Sequence, residues 1–260
     1  MKNNYQIAFP QENVDHLHQD EVYFHYWKED PDEKVKLRFH DYAEIYKEPG
    51  LYEQLFYDRL KCTSPVKIST LLKNALGQSQ ENISELRVLD FGAGNGMMGE
   101  ELKTHGVSRL VGIDIVPEAK EATLRDRPGL YDNYYICDFE HLDKKTSENI
   151  KAWNCNCLVT VAALGFGDIP PKAFINAFNM IDNNGWIAFN IKETFLDSKD
   201  NTGFSKTIKE LIFSEYLDIY NLERYRHRVS VGGVHLYYYA IVGRKNANVP
   251  ETCLPNKQFL

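Results

Sequence analysis

The sequence predicts an α/β protein built on a mostly parallel sheet, with helices on both faces. From Pro65 onward, apolar runs of strand length alternate with segments of helical periodicity, which is the pattern of parallel strands joined by right-handed crossovers. A glycine-rich turn follows the first of these strands and precedes a helix. Near the C-terminus, Gly232-Gly233 joins two long strands as a tight hairpin turn, so we expect the last strand to be antiparallel.

The alternating region begins with a helix that starts at Pro65 and stops at Gly77. The apolar runs after it predict the strands Arg87–Phe91, Leu110–Asp114, Tyr134–Cys137, Leu158–Ala162 and Trp186–Ile191. Helical periodicity predicts the helices Met97–Thr104, Pro117–Arg125, Lys172–Ile181 and Phe204–Glu215. The final hairpin is expected to pair Tyr220–Val231 with Val234–Arg244.

Composition divides the chain into three regions. Residues 1–60 are acidic and aromatic, since residues 1–50 carry eleven acidic and six basic side chains. Rings such as Tyr23 and Trp27 are too frequent there for a linker, and we expect a helical cap from about residue 20 after a frayed start. Residues 61–245 form the α/β domain. Residues 246–260 are polar and contain two prolines, which predicts a loose tail.

The overall composition excludes several classes of protein. Hydrophobic residues make up 43% of the 260 residues, as in a folded domain. The net charge of −7 argues against a nucleic-acid partner, which needs clustered Lys and Arg. The chain lacks the ~20-residue apolar run of a membrane helix, and residues 1–14 are polar without the apolar stretch of a signal peptide, so we expect neither feature. Five cysteines without C-x-x-C spacing predict no disulfide and no metal site. We therefore expect a cytoplasmic protein, monomeric or homodimeric.

The most informative segment is Val88-Leu-Asp-Phe-Gly-Ala-Gly-Asn-Gly96, which runs from an apolar strand into a helix. Its alternate glycines let the backbone approach a ligand closely and present the free N–H groups of the helix to it. A dinucleotide site is one interpretation, because Gly94, Gly96 and Gly99 match G-x-G-x-x-G. That register is poor, since its first glycine does not follow the strand directly. The carboxylate of Asp90 would repel a pyrophosphate and attract a cationic ligand, which favours a sulfonium nucleoside.

Two further acids follow the next two strands at equal spacing. Asp114 lies 24 residues after Asp90, and Asp138 lies 24 residues after Asp114. The carboxyl ends of parallel strands line one crevice, so these carboxylates are expected to face one ligand. Asp114 is placed to accept ribose hydroxyls, and Asp138 to accept an adenine amino group. The alternative is that Asp114 and Asp138 only cap the helices that follow them.

Residues 65–245 resemble a class I S-adenosylmethionine-dependent methyltransferase. Val88–Gly96 resembles the first motif of that family, Val111–Ile115 the second, Ile136–Phe139 the third, and Ala162–Ile169 lies where the fourth occurs. The resemblance implies a Rossmann-like sheet of seven strands with the last antiparallel, and S-adenosyl-L-methionine as cofactor. The cofactor-binding residues that it implies are Asp90, Gly92, Ala93, Gly94, Asp114, Ile115, Asp138, Phe139 and Ala162.

The segment Phe39-His-Asp-Tyr-Ala-Glu-Ile-Tyr46 loosely resembles an N-terminal segment of small-molecule methyltransferases of the Williams–Beuren-region group. In that group the segment reads Tyr-Asp-x-Trp-Ala-x-x-Tyr and folds over the cofactor. Ala43 and Tyr46 are kept here, Tyr42 stands for the Trp, and the Tyr-Asp start is missing. The resemblance implies that Tyr46 contacts the cofactor.

The methyl acceptor is expected above the crevice, between the ends of the fourth and fifth strands and the cap. Candidate acceptor-binding residues are Tyr42, Tyr46, Phe166, Asp168 and Lys192. The candidates for a general base are Lys192, Glu193 and His235, although methyl transfer needs a base only when the acceptor is protonated. The alternatives are a solvated strand exit for Lys192 and Glu193, cap packing for the tyrosines and a structural role for His235.

The function that the sequence predicts is S-adenosylmethionine-dependent methyl transfer to a small-molecule O-, N- or C-acceptor by in-line displacement. The Asn-Pro-Pro-Tyr type motif for base amines is absent, since Ala162-Ala-Leu-Gly165 stands in its place. Two alternatives remain open on sequence grounds. One is a nucleotide-dependent oxidoreductase on a similar sheet, and the other is a non-catalytic methyltransferase-like binding protein.

Overall fold

A computed structural model describes residues 4–10, 21–165, 168–197, 200 and 202–250. Its strands are β1 (Gln6–Ala8), β2 (Tyr23–Trp27), β3 (Val35–Arg38), β4 (Arg87–Phe91), β5 (Arg109–Asp114), β6 (Asn133–Ile136), β7 (Cys157–Thr160), β8 (Trp186–Lys192), β9 (Leu217–Val229) and β10 (His235–Lys245). Its helices are α1 (Tyr42–Lys47), α2 (Leu51–Glu53), α3 (Ser64–Gln78), α4 (Met97–Thr104), α5 (Pro117–Asp126), α6 (Lys144–Lys151), α7 (Pro171–Asn179) and α8 (Phe204–Phe213).

The main sheet has seven strands in the order β6-β5-β4-β7-β8-β10-β9. The pairs from β6 to β8 are parallel, whereas β10 is antiparallel to both β8 and β9. The predicted seven-stranded sheet with an antiparallel last strand is therefore confirmed. Since the strand order reverses between β4 and β7, the carboxyl ends of these two strands flank a crevice.

Helices cover both faces of this sheet, as predicted. Strand alternation sends Leu89 and Phe91 into a cluster with α7 and α8, while Val88 faces α3 and α4 on the other side. The central strands are buried on both faces, and all residues of β7 are buried. Helix α6 lies between β6 and β7 and was not predicted, because its sequence is almost entirely polar and Ile150 is its one buried side chain.

The N-terminal cap is a mixed α/β unit, so the prediction of a helical cap is wrong for its first half. Strands β1, β2 and β3 form an antiparallel sheet, and helices begin only at Tyr42. Helix α2 runs on as a π-helical turn over Gln54–Arg59. Alternating burial along Tyr23–Trp27 is the period-2 pattern of a half-buried strand, which the aromatic-rich composition obscured. Phe24 and Leu51 lie in the cap's own hydrophobic cluster.

The C-terminal segment is packed as far as it is described. Val249 is buried and exchanges two backbone-to-side-chain hydrogen bonds of 2.9 Å with Asn179 of α7. The predicted loose tail therefore begins no earlier than residue 251, and residues 251–260 lie outside the described part of the chain. Across the described residues, no helix combines the length and apolarity needed to cross a membrane.

Candidate functional site

A cavity of about 380 Å³ lies between the cap and the carboxyl ends of the parallel strands. Its wall is formed mainly by the glycine turn after β4, the loops after β5 and β6, the loop between β7 and α7, and the tyrosines of the cap. Of the predicted cofactor-binding residues, those that line this cavity are Tyr46, Gly92, Ala93, Gly94, Asp114, Ile115, Asp138, Phe139 and Ala162. The topology thus brings all of the predicted cofactor-binding residues except Asp90 into one cavity.

The glycine turn has a backbone that other residues adopt only with strain. Gly92 and Gly94 have φ of +75° and +55°. A Cβ on Gly92 would lie 2.8 Å from the Cβ of Ala163, and one on Gly94 would lie 2.6 Å from the Oη of Tyr46. The backbone N–H groups of Gly92 and Ala93 both donate to the carbonyl of Ile113, at 2.9 Å. The turn is therefore fixed to β5 and leaves a cradle that a side chain would fill.

Asp114 ends β5 and holds the loops on either side of it. Its Oδ2 accepts a hydrogen bond of 2.8 Å from the N–H of Gly94, and its Oδ1 accepts one of 2.9 Å from the N–H of Val116. Burial raises the pKa of the carboxyl, while the backbone donors act in the opposite direction. A carboxylate has about four lone-pair sites, so Asp114 retains acceptor capacity toward the cavity.

Asp138 follows β6 and shapes the far end of the cavity. Its Oδ1 accepts a hydrogen bond of 2.8 Å from the N–H of Glu140, and its Oδ2 lies 2.8 Å from Nδ1 of His141. Phe139 is buried with its ring 4.8 Å from that of Phe91. Burial raises the pKa of the neighbouring Cys137 thiol to about 11, so this thiol is neutral. The region combines apolar walls with a carboxylate acceptor, as an adenine ring requires.

Asp90 is the exception among the predicted cofactor-binding residues, because the structure does not bring it to the cavity wall. Its side chain is only 1% exposed, and its Oδ2 accepts a hydrogen bond of 2.7 Å from the hydroxyl of Tyr131. Burial raises the pKa of Asp90 to about 7, although the hydrogen bond from Tyr131 opposes this effect. Strand alternation turns Asp90 toward the face of Val88, so the expected direct attraction of a cationic ligand does not apply.

Four tyrosines from the cap, Tyr42, Tyr46, Tyr52 and Tyr57, form one wall of the cavity. The rings of Tyr42 and Tyr46 are stacked with centroids 6.2 Å apart, and Tyr52 lies 5.1 Å from Tyr46. Burial raises the pKa of all four phenols, so they are neutral hydroxyl groups. The N-terminal motif predicted Tyr42 and Tyr46. Tyr52 and Tyr57 were not predicted, because no motif or spacing connected them to the glycine turn.

A buried ion pair fastens the cap to the glycine turn. Nη1 of Arg127 lies 2.9 Å from Oε1 of Glu53 and 3.1 Å from the carbonyl oxygen of Asn95, which lines the cavity. Both side chains of the pair are less than 10% exposed. Nε of Arg127 also reaches Oε2 of the exposed Glu100, at 2.9 Å. The pair was not predicted, because the two residues are distant in sequence and neither belongs to a motif.

Asp168 lines the cavity from the loop between β7 and α7, as predicted for an acceptor-binding residue. Its Oδ1 lies 3.3 Å from Nδ1 of His40, which belongs to the cap. His40 stands where the N-terminal motif of the Williams–Beuren-region group has Asp, and its pairing with Asp168 had no signal in the sequence. Phe166, the neighbouring candidate, lies outside the described residues.

The three candidates for a general base, Lys192, Glu193 and His235, do not line the described cavity wall. Glu193 is occupied by Arg224, whose Nε lies 2.7 Å from Oε2 of the carboxylate. Lys192 is half-buried at the end of β8, where burial and then Arg228 lower its pKa. His235 is exposed, because the β9–β10 hairpin extends beyond the end of β8. The sequence located these strand ends correctly but not the direction of their side chains.

The strand order, the antiparallel last strand and the cavity at the glycine turn define a class I S-adenosylmethionine-dependent methyltransferase fold. Residues 64–221 match a protein family described as a methyltransferase domain. The match covers more than half of the chain, and the chain belongs to this family. It is an enzyme that uses S-adenosylmethionine, which disfavours the oxidoreductase alternative. A comparison of the sequence with curated proteins found no match.

Solved structures with a similar fold come from several methyltransferases. A "putative RNA methyltransferase" from Pyrococcus horikoshii has a TM-score of 0.50 and 13% identity, covering 70% of this chain and 85% of that one. The N-methyltransferase NodS from Bradyrhizobium japonicum, in complex with S-adenosylhomocysteine, has a TM-score of 0.49 and 16% identity, covering 70% and 87%. At such identities the likeness shows the fold alone, and it does not select an acceptor.

Proposed function

We propose that the protein transfers a methyl group from S-adenosylmethionine to a small-molecule O-, N- or C-acceptor. The acceptor enters between the cap and the loop after β7. The observation that carries this proposal is the position of the cap. Its four tyrosines cover the glycine turn and leave a cavity of about 380 Å³, a size typical of small-ligand sites. A net charge of −7 also disfavours an acceptor as anionic as RNA.

The residues in the cavity suit the cofactor of the family. Gly92 and Gly94 provide a cradle without Cβ atoms, and the Asp114 carboxylate offers acceptors to ribose hydroxyls. Asp138 and Phe139 provide the acceptor and the apolar wall that an adenine ring needs. When bound, S-adenosylmethionine supplies an electrophilic methyl carbon, whose bond to sulfur breaks with its electron pair remaining on sulfur.

The chain's own residues have three tasks in such a reaction. The tyrosine wall excludes water and restricts the acceptor to one approach, which lowers the entropic part of the barrier. Asp168 faces the cavity and is placed to take the proton that a hydroxyl or amine acceptor loses as it bonds to carbon. His40 contacts that carboxylate from the cap, so the position of the cap and the orientation of Asp168 are linked.

The proposal is tested by incubating the full chain with S-adenosylmethionine labelled in its methyl group and a fractionated cell extract. The extract is divided into small molecules, RNA and protein, and Asp114→Asn serves as the control that lacks the expected ribose contact. We expect label to enter the small-molecule fraction with the wild type and much more slowly with the control. Label that enters only RNA or only protein would contradict a small-molecule acceptor.

A further inference from the structure

The turn that follows β7 holds a conformation that its own residues do not favour. Ala162 has φ of +57°, in the left-handed region where a Cβ lies too close to the following carbonyl oxygen. The turn lines the cavity with Val161, Ala162 and Ala163, and the methyl of Ala163 packs against Gly92 of the glycine turn. A strained residue at this place needs support from its surroundings.

That support comes from the side chain of Asn190. The parallel ladder between β7 and β8 ends at the pair Thr160–Phe189, and Asn190 is the next residue of β8. Its Oδ1 accepts a hydrogen bond of 2.7 Å from the N–H of Ala162. Asn190 is 1% exposed whereas Ala162 is exposed, so the bond is part-buried, and its loss would leave the N–H of Ala162 without its protein partner.

The other end of the Asn190 amide is fixed just as firmly. Its Nδ2 donates to the hydroxyl of Tyr225 at 2.8 Å and to Oγ of Ser64 at 3.2 Å. Oγ of Ser64 in turn lies 2.6 Å from Nδ1 of His227, whose pKa burial holds well below its usual value, so the imidazole is neutral. With both hydrogens of the amide donated, its oxygen can point only toward Ala162.

We propose that Asn190 is a positioning residue of the cofactor site, which holds Ala162 in the left-handed conformation that completes the cavity wall. The proposal concerns cofactor affinity and is independent of the identity of the acceptor. Its energetic basis is the combination of one part-buried hydrogen bond and one strained residue. Without Asn190, the turn relaxes toward negative φ and withdraws the Ala163 methyl from Gly92.

The test measures the dissociation constant of S-adenosylhomocysteine by calorimetry and the unfolding temperature of each variant of the full chain. Asn190→Leu keeps the size of the side chain but removes the acceptor, and we expect about a tenfold weaker affinity. Asn190→Asp keeps an oxygen for the Ala162 N–H, so we expect an affinity within about threefold of the wild type although the unfolding temperature falls. Ser64→Ala disturbs the same network away from the cavity and should lower only the unfolding temperature.

Two further variants keep the proposal open to refutation. In Ala162→Gly/Asn190→Leu, glycine adopts positive φ without support from Asn190. We therefore expect the double variant to bind S-adenosylhomocysteine at least about threefold more tightly than Asn190→Leu does. If Asn190→Leu does not fold, Asn190→Ser replaces it, because the shorter side chain cannot reach Ala162. Unchanged affinity in Asn190→Leu or Asn190→Ser, or an equal loss in Ser64→Ala, would overturn the proposal. A wild type that does not bind S-adenosylhomocysteine would instead overturn the cofactor site itself.

Discussion

The hydroxyl of Tyr46 lies so close over Gly94 that a Cβ on this glycine would come within 2.6 Å of the phenol oxygen. The Gly94 peptide is fixed on both sides, since its N–H donates to Asp114 and its carbonyl accepts from the hydroxyls of Tyr134 and Thr123. The cap and the glycine turn therefore meet at van der Waals distance. This contact explains why glycine is needed at position 94.

Gly94→Ala is expected to destabilise the protein and weaken binding of S-adenosylhomocysteine. The added methyl meets Tyr46 and also strains a backbone at φ +55°, which together cost at least about 2 kcal/mol. The matched control is Gly129→Ala, because Gly129 has φ +75° and open space around its Cβ position. Urea unfolding should show a larger loss for Gly94→Ala, and equal losses would show that Tyr46 does not restrict the turn.

The buried carboxyl of Asp90 makes stability depend on pH. Burial raises its pKa from 3.8 to about 7 in the folded state, so between these values the folded protein binds the proton more tightly than the unfolded chain does. The free energy of unfolding that this group contributes is present below pH 4 and is lost as the pH rises through 7. Asn at this position has no such loss and still accepts a hydrogen bond from Tyr131.

We therefore expect Asp90→Asn to be more stable than the wild type at pH 8, by about 2–4 kcal/mol, with the difference vanishing near pH 4. Urea unfolding of both proteins at pH values about one unit apart, from about 4 to about 8, measures this difference. Tyr131→Phe removes the donor that stabilises the carboxylate, so it should raise the pKa of Asp90 further and extend the loss of stability to higher pH. Parallel pH profiles for the wild type and Asp90→Asn would refute the raised pKa.

Arg127 offers a comparison between a buried and an exposed ion pair on one side chain. Glu53→Gln changes the buried partner, and Glu100→Gln changes a partner that is 54% exposed. Arg127→Met leaves the Glu53 carboxylate buried without its ion-pair partner, so we expect the free energy of unfolding to fall by about 3–5 kcal/mol. Glu100→Gln should cost less than about 1 kcal/mol. Thermal and urea unfolding of Arg127→Met and Glu100→Gln measure the two losses of stability. Equal losses would contradict the role of Arg127 in fastening the cap to the glycine turn.

The pair of His40 and Asp168 is expected to act on transfer and not on cofactor affinity. Asp168→Asn removes the proton acceptor in the cavity, so methyl transfer to a hydroxyl or amine acceptor should fall by about 10²–10⁴-fold. His40→Gln should lower it less, because His40 acts only through Asp168. S-adenosylhomocysteine binding serves as the control for both. Transfer at the wild-type rate in Asp168→Asn would mean that the acceptor reacts without a base.

The α/β domain was predictable because its signals are local. The strand Arg87–Phe91 and helix Met97–Thr104 were predicted with the bounds that the structure shows, since an apolar run and a glycine turn mark their limits. The acids Asp114 and Asp138 were found from their spacing. The cap was harder, because every side chain of Tyr23–Trp27 carries a ring, so no alternation of polar and apolar residues marks the buried face of the strand.

What the sequence could not provide was the pairing of distant side chains. His40 contacts Asp168 across 128 positions, and Asn190 supports Ala162 across 28. Neither contact follows from periodicity or a motif. The orientation of the Asp90 side chain was not predicted either. Its position near a strand end indicates that it lies close to the crevice, but it does not indicate the face of the sheet to which the carboxylate points. These features depend on tertiary packing, which only the structure reveals.

The central claim is that Asp114 and the glycine turn hold the nucleoside of S-adenosylmethionine at the mouth of the sheet. Calorimetric titration of the full chain with S-adenosylhomocysteine and, separately, with NADH tests this claim directly. The same titrations of Asp114→Asn provide the matched variant. We expect the wild type to bind S-adenosylhomocysteine at micromolar concentration and not to bind NADH. In Asp114→Asn we expect the binding free energy of S-adenosylhomocysteine to be weaker by about 1–3 kcal/mol. Binding of NADH in place of S-adenosylhomocysteine, or equal affinity in the variant, would contradict the claim.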